Sequence, residues 1–114
     1  MTVETWTLSG TKDYVGEFID ELPAKTQKKF VRDFELVEKY GTQFINMKKL
    51  EGNGLYEIRV RYNKIAYRIL CVVRGATCWL LHAFIKKSNK TPLRDIGTAL
   101  ARMKDLDSYL VLAN

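Results

Sequence analysis

The stretch from Leu55 to Thr91 constrains the fold more than any other part of the chain, because it holds three strand-like runs in close succession. It is rich in Val, Ile, Tyr, Trp and Phe, which favour the pleated, half-buried surface of a β-sheet. Two turn signals, Tyr62–Lys64 and Arg74–Gly75, separate the runs. The pattern predicts a meander of three antiparallel strands.

Charged residues stand at regular positions inside this predicted sheet. Glu57, Arg59 and Arg61 alternate with apolar residues, so a period of two places the three charges on one face. Arg68 interrupts an otherwise apolar strand, and pairing with the neighbouring strand puts it on the face of Glu57 and Arg59. The sequence therefore predicts a charged cluster on one side of the meander.

The turn at Arg74–Gly75 also predicts the register of the last hairpin. As a two-residue turn it pairs Cys71 with Cys78 and Arg68 with Leu81. The face of Arg68 then includes Leu70, Val72, Trp79, Leu81 and Lys87, whereas the opposite, core-like face includes Tyr67, Ile69, Cys71, Leu80, His82 and Phe84. A slip of one residue reverses this assignment for the last strand.

The N-terminal part of the chain predicts a strand and two helices. Thr2–Ser9 has the composition of a short strand, which Gly10 ends. Apolar residues at helical spacing between Tyr14 and Leu22 predict a short helix. Pro23 is expected at the first position of a second helix, which Gly41 ends. The expected buried stripe of this second helix consists of Phe30, Val31, Phe34 and Val37.

A connector and a last helix complete the chain. Thr42–Gly54 is expected to be a connector without regular structure. Thr91 and Pro92 predict a helix start, with Thr91 as N-cap, and the helix runs to about Leu106. Its expected buried stripe consists of Leu93, Ile96, Leu100 and Met103.

The order β-α-α-β-β-β-α predicts an α+β fold in a single domain, residues 1–114. We expect an antiparallel sheet with the two N-terminal helices on one face, a C-terminal helix, and a charged face that stays partly open.

Charge and cysteine content narrow the classes of partner and compartment. The chain has 19 Lys and Arg against 13 Asp and Glu, a net charge of +6, which favours an anionic partner such as nucleic acid or an acidic protein. Two cysteines, Cys71 and Cys78, are too few for a disulfide framework. We expect them to be reduced and buried in a cytoplasmic protein. The sequence has no apolar run of membrane-spanning length, so no membrane partner is expected. A lone His82 cannot complete a zinc site.

Arg68 is the strongest candidate for chemistry. A guanidinium held among apolar residues presents a bidentate fork that suits a phosphate, although an ion pair with Glu57 explains it equally well. Glu57 itself is a poor base among cations, so we expect it to position the arginines. His82 is interpreted as a hydrogen-bonded core residue. Trp79 is either covered by the last helix or exposed for stacking. Cleavage of RNA by its own 2′-hydroxyl needs mainly alignment and charge neutralisation, which such a cluster supplies without metal.

Three segments together resemble the RelE/ParE toxin superfamily and, more narrowly, its HigB-type branch of phage-derived host-inhibition proteins. They are L-E-G-N-G-L-Y-E-I-R-V from Leu50, A-Y-R-I-L from Ala66, and L-L-H-A-F-I-K-K-S-N-K-T-P ending at Pro92. The resemblance covers Lys48 to Met103, and the β-α-α start agrees with it.

This resemblance implies a RelE-like fold and a cytoplasmic toxin of a type II toxin–antitoxin pair. Such a toxin cuts mRNA on the ribosome without a metal or other cofactor. Its partner is an antitoxin, expected to be a HigA-like helix-turn-helix protein, and the complex binds operator DNA through that antitoxin.

Carried over by position, Arg68 matches the strand arginine that contacts the scissile phosphate. Arg59 and Lys87, or its neighbour Lys86, match further basic positions, whereas Glu57 departs from a basic residue of some relatives and leaves the general base and acid unassigned. The expected RNA contacts are Lys48, Lys49, Arg61, Lys86 and Lys90, whose alternative is ordinary surface charge. A ParE-like inhibitor of DNA gyrase and a basic RNA-binding module without enzymatic activity remain as alternatives.

Overall fold

The structure, a computed structural model, describes residues 1–7 and 12–113 of the chain. Its elements are β1 (Thr2–Thr5), α1 (Tyr14–Asp20), α2 (Ala24–Tyr40), a single 3₁₀ turn (Gly41–Gln43), β2 (Met47–Lys49), β3 (Tyr56–Tyr62), β4 (Ile65–Arg74), β5 (Thr77–Ile85) and α3 (Leu93–Ala113). The α+β class and the β-α-α start are confirmed, and so is the meander followed by a helix. The first strand, predicted over Thr2–Ser9, ends at Thr5, so Trp6 and Thr7 lie beyond it, and Leu8, Ser9 and Gly10 lie outside the described residues.

The strands form one mixed sheet in the order β1-β5-β4-β3-β2. Strands β2 to β5 are antiparallel to their neighbours, and β1 adds to β5 in the parallel direction. The predicted connector Thr42–Gly54 contains β2, which the sequence did not reveal. Only Met47 of its three residues is buried, so β2 is too short to show an alternating pattern.

The two hairpin turns differ in how well the sequence located them. Asn63 and Lys64 have φ of 52° and 67°, the left-handed backbone of a two-residue turn, as the first signal predicted. In the second hairpin Arg74 pairs with Thr77, so the turn residues are Gly75 and Ala76, one position later than expected. This error shifts the β5 partner of each β4 residue by two positions. Because side chains alternate with a period of two, the shift leaves every side chain on its predicted face.

A β-bulge, in contrast, does change the faces. Cys71 pairs with Leu80 but Leu70 pairs with His82, so β5 has one extra residue at this point. Arg68 consequently pairs with Phe84 instead of Leu81. The predicted placement of His82 and Phe84 on the core-like face is therefore wrong, because beyond the bulge they share the face of Arg68.

Both prolines lie just before their helices. Pro23 is the N-cap of α2, with extended ψ of 149°, and the Pro92 carbonyl accepts the first α-helical hydrogen bond of α3 from the Ile96 N–H. The sequence predicted each proline at the first helical position, but each lies one residue before it, since α2 begins at Ala24 and α3 at Leu93. Gly41 ends α2 with φ of 59°, as expected.

Helices α1 and α2 cover one face of the sheet and α3 covers part of the other. The core under α1 and α2 includes Val15, Phe30, Val37, Met47, Ile58, Val60, Tyr67, Ile69, Cys71, Cys78 and Leu80. The core under α3 consists of Trp6, Leu55, Leu70, Val72, Leu81, Ala99 and Leu106. Two predicted stripe residues are corrected, since Val31 is 53% exposed and Leu93 is 85% exposed. Helix α3 also continues to Ala113, well past the expected end at Leu106.

The burial predicted for the two cysteines is confirmed, and both thiols are free. The neighbouring Cys78 thiol and burial raise the pKa of the Cys71 thiol well above its ordinary value. Within the described residues, no helix is both long enough and apolar enough to cross a lipid bilayer.

Candidate functional site

A cationic cleft opens on the α3 side of the sheet, where the apolar contacts of that helix end. Strands β3, β4 and β5 contribute its floor, and the segment between β5 and α3 forms one wall. The cleft is lined by Glu57, Arg68, Phe84, Lys86, Asn89, Lys90 and Thr91. The period of two in β3 and the register between β3 and β4 bring Glu57 and Arg68 to the same face, as the sequence predicted.

Arg68 and Glu57 form a buried ion pair on the floor of the cleft. Arg68 Nε lies 3.1 Å from Glu57 Oε1, and the two residues are 7% and 3% exposed. Arg68 Nη1 donates to the Tyr67 carbonyl at 3.1 Å. The guanidinium is thus held at two of its nitrogen atoms, which restricts its orientation. The ion pair between Arg68 and Glu57, one of the two interpretations from the sequence, is therefore present.

Glu57 has two further partners besides Arg68. Arg59 Nε donates to Glu57 Oε1 at 3.2 Å, and the Thr91 hydroxyl donates to Glu57 Oε2 at 2.5 Å. The Arg59 side chain is 47% exposed, so its ion pair with Glu57 is screened by solvent. Glu57 is therefore the common acceptor of β3, β4 and the segment before α3.

The charge environment of Arg68 is unfavourable for a cation. Burial lowers the pKa of the Arg68 guanidinium, Glu57 opposes this shift, and the nearby cations Arg59 and Arg61 add to it. Arginine begins from so high a pKa that it stays protonated at neutral pH. The cleft consequently keeps a desolvated, permanently charged donor close to its surface.

The other basic residues predicted for the site lie on different faces of the sheet. Lys48 pairs directly with Glu57 in the register between β2 and β3, whereas Lys49 pairs with Tyr56. The Lys86 N–H donates to the Ala66 carbonyl at 2.8 Å, which continues the ladder of β5. Lys48 and Arg61 therefore lie on the face of Arg68, whereas Lys49, also predicted to contact RNA, lies on the opposite face.

The expected position of Lys87 is corrected. Lys86 and Lys90 line the cleft, and Lys87 is exposed and is not among the residues that line it. The bulge in β5 explains the difference, because it exchanges the faces of all residues that follow it.

A second polar cluster joins α3 to β5 next to the cleft. His82 Nε2 lies 2.7 Å from Asp95 Oδ1, and Arg102 Nη1 donates to the Leu81 carbonyl at 2.8 Å. Burial lowers the pKa of the Arg102 guanidinium, and Tyr14 opposes the shift. His82 is hydrogen-bonded as predicted, although on the other face of the sheet. These contacts hold α3 against β5. The second ring nitrogen of His82, Nδ1, lies 3.4 Å from Arg102 Nη1.

An aromatic groove separates β1 from the last turns of α3. Trp6 and Trp79 meet edge to face at 5.9 Å, and Tyr109 lies 5.3 Å from Trp6. The Trp6 indole donates to Asp105 at 3.0 Å. Trp79 is thus half-buried against Trp6 and does not belong to the cationic cleft.

Three cleft residues were missed by sequence reasoning: Phe84, Asn89 and Thr91. Thr91 was expected to cap α3, but its hydroxyl donates to Glu57, 34 positions away in the chain. The K-x-x-K-T-P run marked this segment, yet nothing local in it indicates the partner of the hydroxyl. Among the described residues, no three His, Cys, Asp or Glu side chains are grouped so that they could hold a metal ion.

Most of the chain matches a known protein family. The model described as "Phage derived protein Gp49-like (DUF891)" matches residues 17–104, well over half of the sequence. The matched range includes the cationic cleft and most of α3. A search of curated proteins finds no significant match.

Proposed function

Because the chain belongs to the Gp49-like family of phage-derived proteins, we propose that it is a ribosome-dependent mRNA endoribonuclease and the toxin of a type II toxin–antitoxin pair. The family is toxin-like and belongs to the RelE/HigB-like group, which implies a cognate antitoxin as partner. The HigB-type branch, the nuclease activity and the dependence on the ribosome are parts of the proposal.

The observation that supports nuclease chemistry most is the placement of Arg68. A guanidinium that is 7% exposed lies on the floor of a cleft, with Lys86 and Lys90 at its wall. A desolvated donor with a restricted orientation stabilises charge in a transition state more than a solvated one. Ordinary surface arginines have neither the burial nor the fixed orientation.

In the proposed reaction, the RNA supplies its own nucleophile. The 2′-hydroxyl loses its proton as its oxygen attacks the adjacent phosphorus to form a 2′,3′-cyclic phosphate, and the bond from phosphorus to the 5′ oxygen of the next nucleotide breaks as that oxygen gains a proton. Arg68 stabilises the negative charge that grows on the phosphate oxygens, and Arg59, Lys86 and Lys90 align the backbone. The general base and acid are not assigned to residues of this chain. No metal or other cofactor has a part in this scheme.

The partner completes the proposal. The antitoxin is expected to be a HigA-like helix-turn-helix protein, and the toxin reaches operator DNA only as part of their complex. The net charge of +6 favours association with mRNA and ribosomal RNA, which are polyanions.

The direct test is a reconstituted translation reaction. Purified protein is added to ribosomes stalled on a defined mRNA, and the 5′ ends of the products are mapped. We expect cuts within the ribosome-bound region and no cuts in the same mRNA without ribosomes. Intact mRNA together with inhibited supercoiling by purified gyrase would favour the ParE-like alternative. Intact mRNA with active gyrase, and RNA binding alone, would favour the module without enzymatic activity.

A further inference from the structure

The cationic cleft is occupied by a carboxylate of the protein itself. Glu57 is 3% exposed and accepts from Arg59, Arg68 and Thr91, which belong to three separate segments of the chain. Carboxylates and phosphates both accept hydrogen bonds from guanidinium groups in the same fork-like geometry. The donors that Glu57 uses are therefore the donors that a bound phosphate would use.

The free space in the cleft is too small for a phosphate group. Its cavity volume is about 10 Å³, and a single water molecule already requires ~10–15 Å³ by the same measure. A phosphodiester has two bridging and two non-bridging oxygens, so it does not fit inside the cleft while Glu57 and Thr91 keep their positions. Some part of the cleft must move before an anion binds there.

The wall that can move is the segment Lys86–Thr91. It follows β5, it has no helix or strand of its own, and four of its six residues are exposed. The Thr91 hydroxyl joins its end to Glu57, while Ser88 Oγ donates to the Lys90 carbonyl inside the segment. Thr91 is thus the side-chain connection between this wall and the floor of the cleft.

We propose that Glu57 and Thr91 form a latch over an oxyanion site, and that a phosphodiester of bound RNA replaces the Glu57 carboxylate as the partner of Arg68. The RNA ligand rests on the proposed function, whereas the anion site and its latch rest on the geometry alone. In the closed state the latch keeps Arg68 paired and oriented. In the open state Lys86 remains beside the anion, because its N–H is bonded to the Ala66 carbonyl of β4, whereas Lys90 moves with the segment.

The latch predicts that removing the hydrogen bond between Thr91 and Glu57 raises the affinity of the protein for RNA. Thr91→Val keeps the shape of the side chain and deletes the donor, which destabilises the closed state and raises the fraction that is competent to bind. We expect the variant to bind a fully 2′-O-methylated oligoribonucleotide about tenfold more tightly than the wild type, the equivalent of one charge-assisted hydrogen bond. Fluorescence anisotropy at fixed ionic strength measures the affinity.

Two variants control for loosening of the segment. Thr91→Ser keeps the hydroxyl and should bind as the wild type does. Ser88→Ala removes the other side-chain hydrogen bond of the same segment and should leave the affinity unchanged. An equal gain in Ser88→Ala, or no gain in Thr91→Val, would show that the Thr91 contact with Glu57 is only structural and would overturn the latch.

A measurement on the wild-type protein keeps the proposal testable even if Thr91→Val does not fold. The Arg68 Nε–H and Thr91 methyl resonances should both shift when inorganic phosphate or the oligonucleotide is added. Binding of the oligonucleotide with both signals unmoved would place the anion elsewhere and refute the site. A response to the oligonucleotide but not to phosphate would assign the site to polymeric RNA, and a response to both would assign it to phosphate groups in general.

These experiments are independent of cleavage, because the methylated oligonucleotide lacks the nucleophile. A protein that cuts no mRNA on ribosomes would refute the proposed function and leave the latch to be judged by its binding data. A protein that cuts mRNA while Thr91→Val binds no more tightly would refute the latch alone.

Discussion

The two faces of the sheet are built by the same strands but differ in what they bury. Under α1 and α2 the buried residues of the strands are apolar, with Ile58 and Ile69 completely inaccessible to solvent, and the buried charge on this side belongs to α2, where Asp33 pairs with Lys29. Under α3 the apolar contacts cover only part of the face, and the rest carries the buried pair Glu57 and Arg68. Desolvation of two charges offsets most of their attraction, so such a pair adds little to stability. We infer that the first face supplies the stability that lets the second face hold buried charge.

The largest expected effect tests the stabilising face. Phe30 is fully buried and meets Tyr67 at 5.2 Å between ring centroids. Phe30→Ala should lower the free energy of unfolding by about 3–5 kcal/mol, because it removes a large side chain and leaves a cavity. Denaturant unfolding measures the change. Val31→Ala on the same helix is the matched control and should change the free energy of unfolding by less than about 0.5 kcal/mol, since Val31 is 53% exposed. Similar values for both variants would show that α2 does not anchor the fold.

The next effect tests the charged face. Arg68→Ala should slow cleavage on the ribosome by about a hundredfold to a thousandfold, the scale for one preorganised donor. Arg68→Lys should recover only part of the rate, because an ammonium keeps the charge and lacks the fork. Since Glu57 retains Arg59 and Thr91, the loss of stability should be smaller than the ~3–5 kcal/mol of a carboxylate left alone. A folded Arg68→Ala protein with the wild-type cleavage rate would remove Arg68 from the proposed mechanism.

A smaller effect distinguishes the two adjacent lysines after β5. Lys86 lines the cleft and Lys87 does not. Lys86→Ala should reduce cleavage about tenfold, the equivalent of one charge-assisted contact, and Lys87→Ala less than about twofold. Both variants lose the same charge, so each is the control for the other. The reverse order would mean that the face inferred from simple alternation, and not the face after the bulge, is the one that meets RNA.

The smallest effect concerns the ion pair that ties the end of α3 to β4. Arg74 Nε lies 2.7 Å from Asp107 Oδ1, and both side chains are more than a third exposed. Their hydrogen bond lowers the pKa of Asp107 and raises that of Arg74. A double-mutant cycle with Arg74→Ala and Asp107→Asn should give a coupling of about 0.2–1 kcal/mol.

The pH dependence of this coupling follows from the direction of the shift. Because the carboxylate of Asp107 is favoured in the folded state, the contribution is complete above the ordinary aspartate pKa of about 3.9 and disappears as the pH falls through the lowered value. Thermal melts of the four proteins between neutral and acidic pH measure it. A coupling that persists at the acidic limit would show that packing, not charge, joins the two residues.

Much of the fold was predictable because its signals are local. Apolar spacing located α1, α2 and the body of α3, Pro92 marked the start of α3, and Gly41 marked the end of α2. The period of two along β3 brought Glu57 and Arg59 to one face before any pairing was known. The tight turn between β3 and β4 predicted that Arg68 lies on the same face, beside Glu57 and Arg59. The sequence therefore predicted the centre of the candidate site.

The sequence alone therefore determined the three helices, the meander and the shared face of Glu57, Arg59 and Arg68, since these depend on short-range periodicity and turn chemistry. Only the tertiary structure decided which residues surround that centre. The bulge in β5 placed Lys86 in the cleft, because a single extra residue changes the face of every residue after it. The contact of Thr91 with Glu57 and the parallel pairing of β1 join residues far apart in the chain. Such contacts depend on how the helices and strands pack together, which no local pattern encodes.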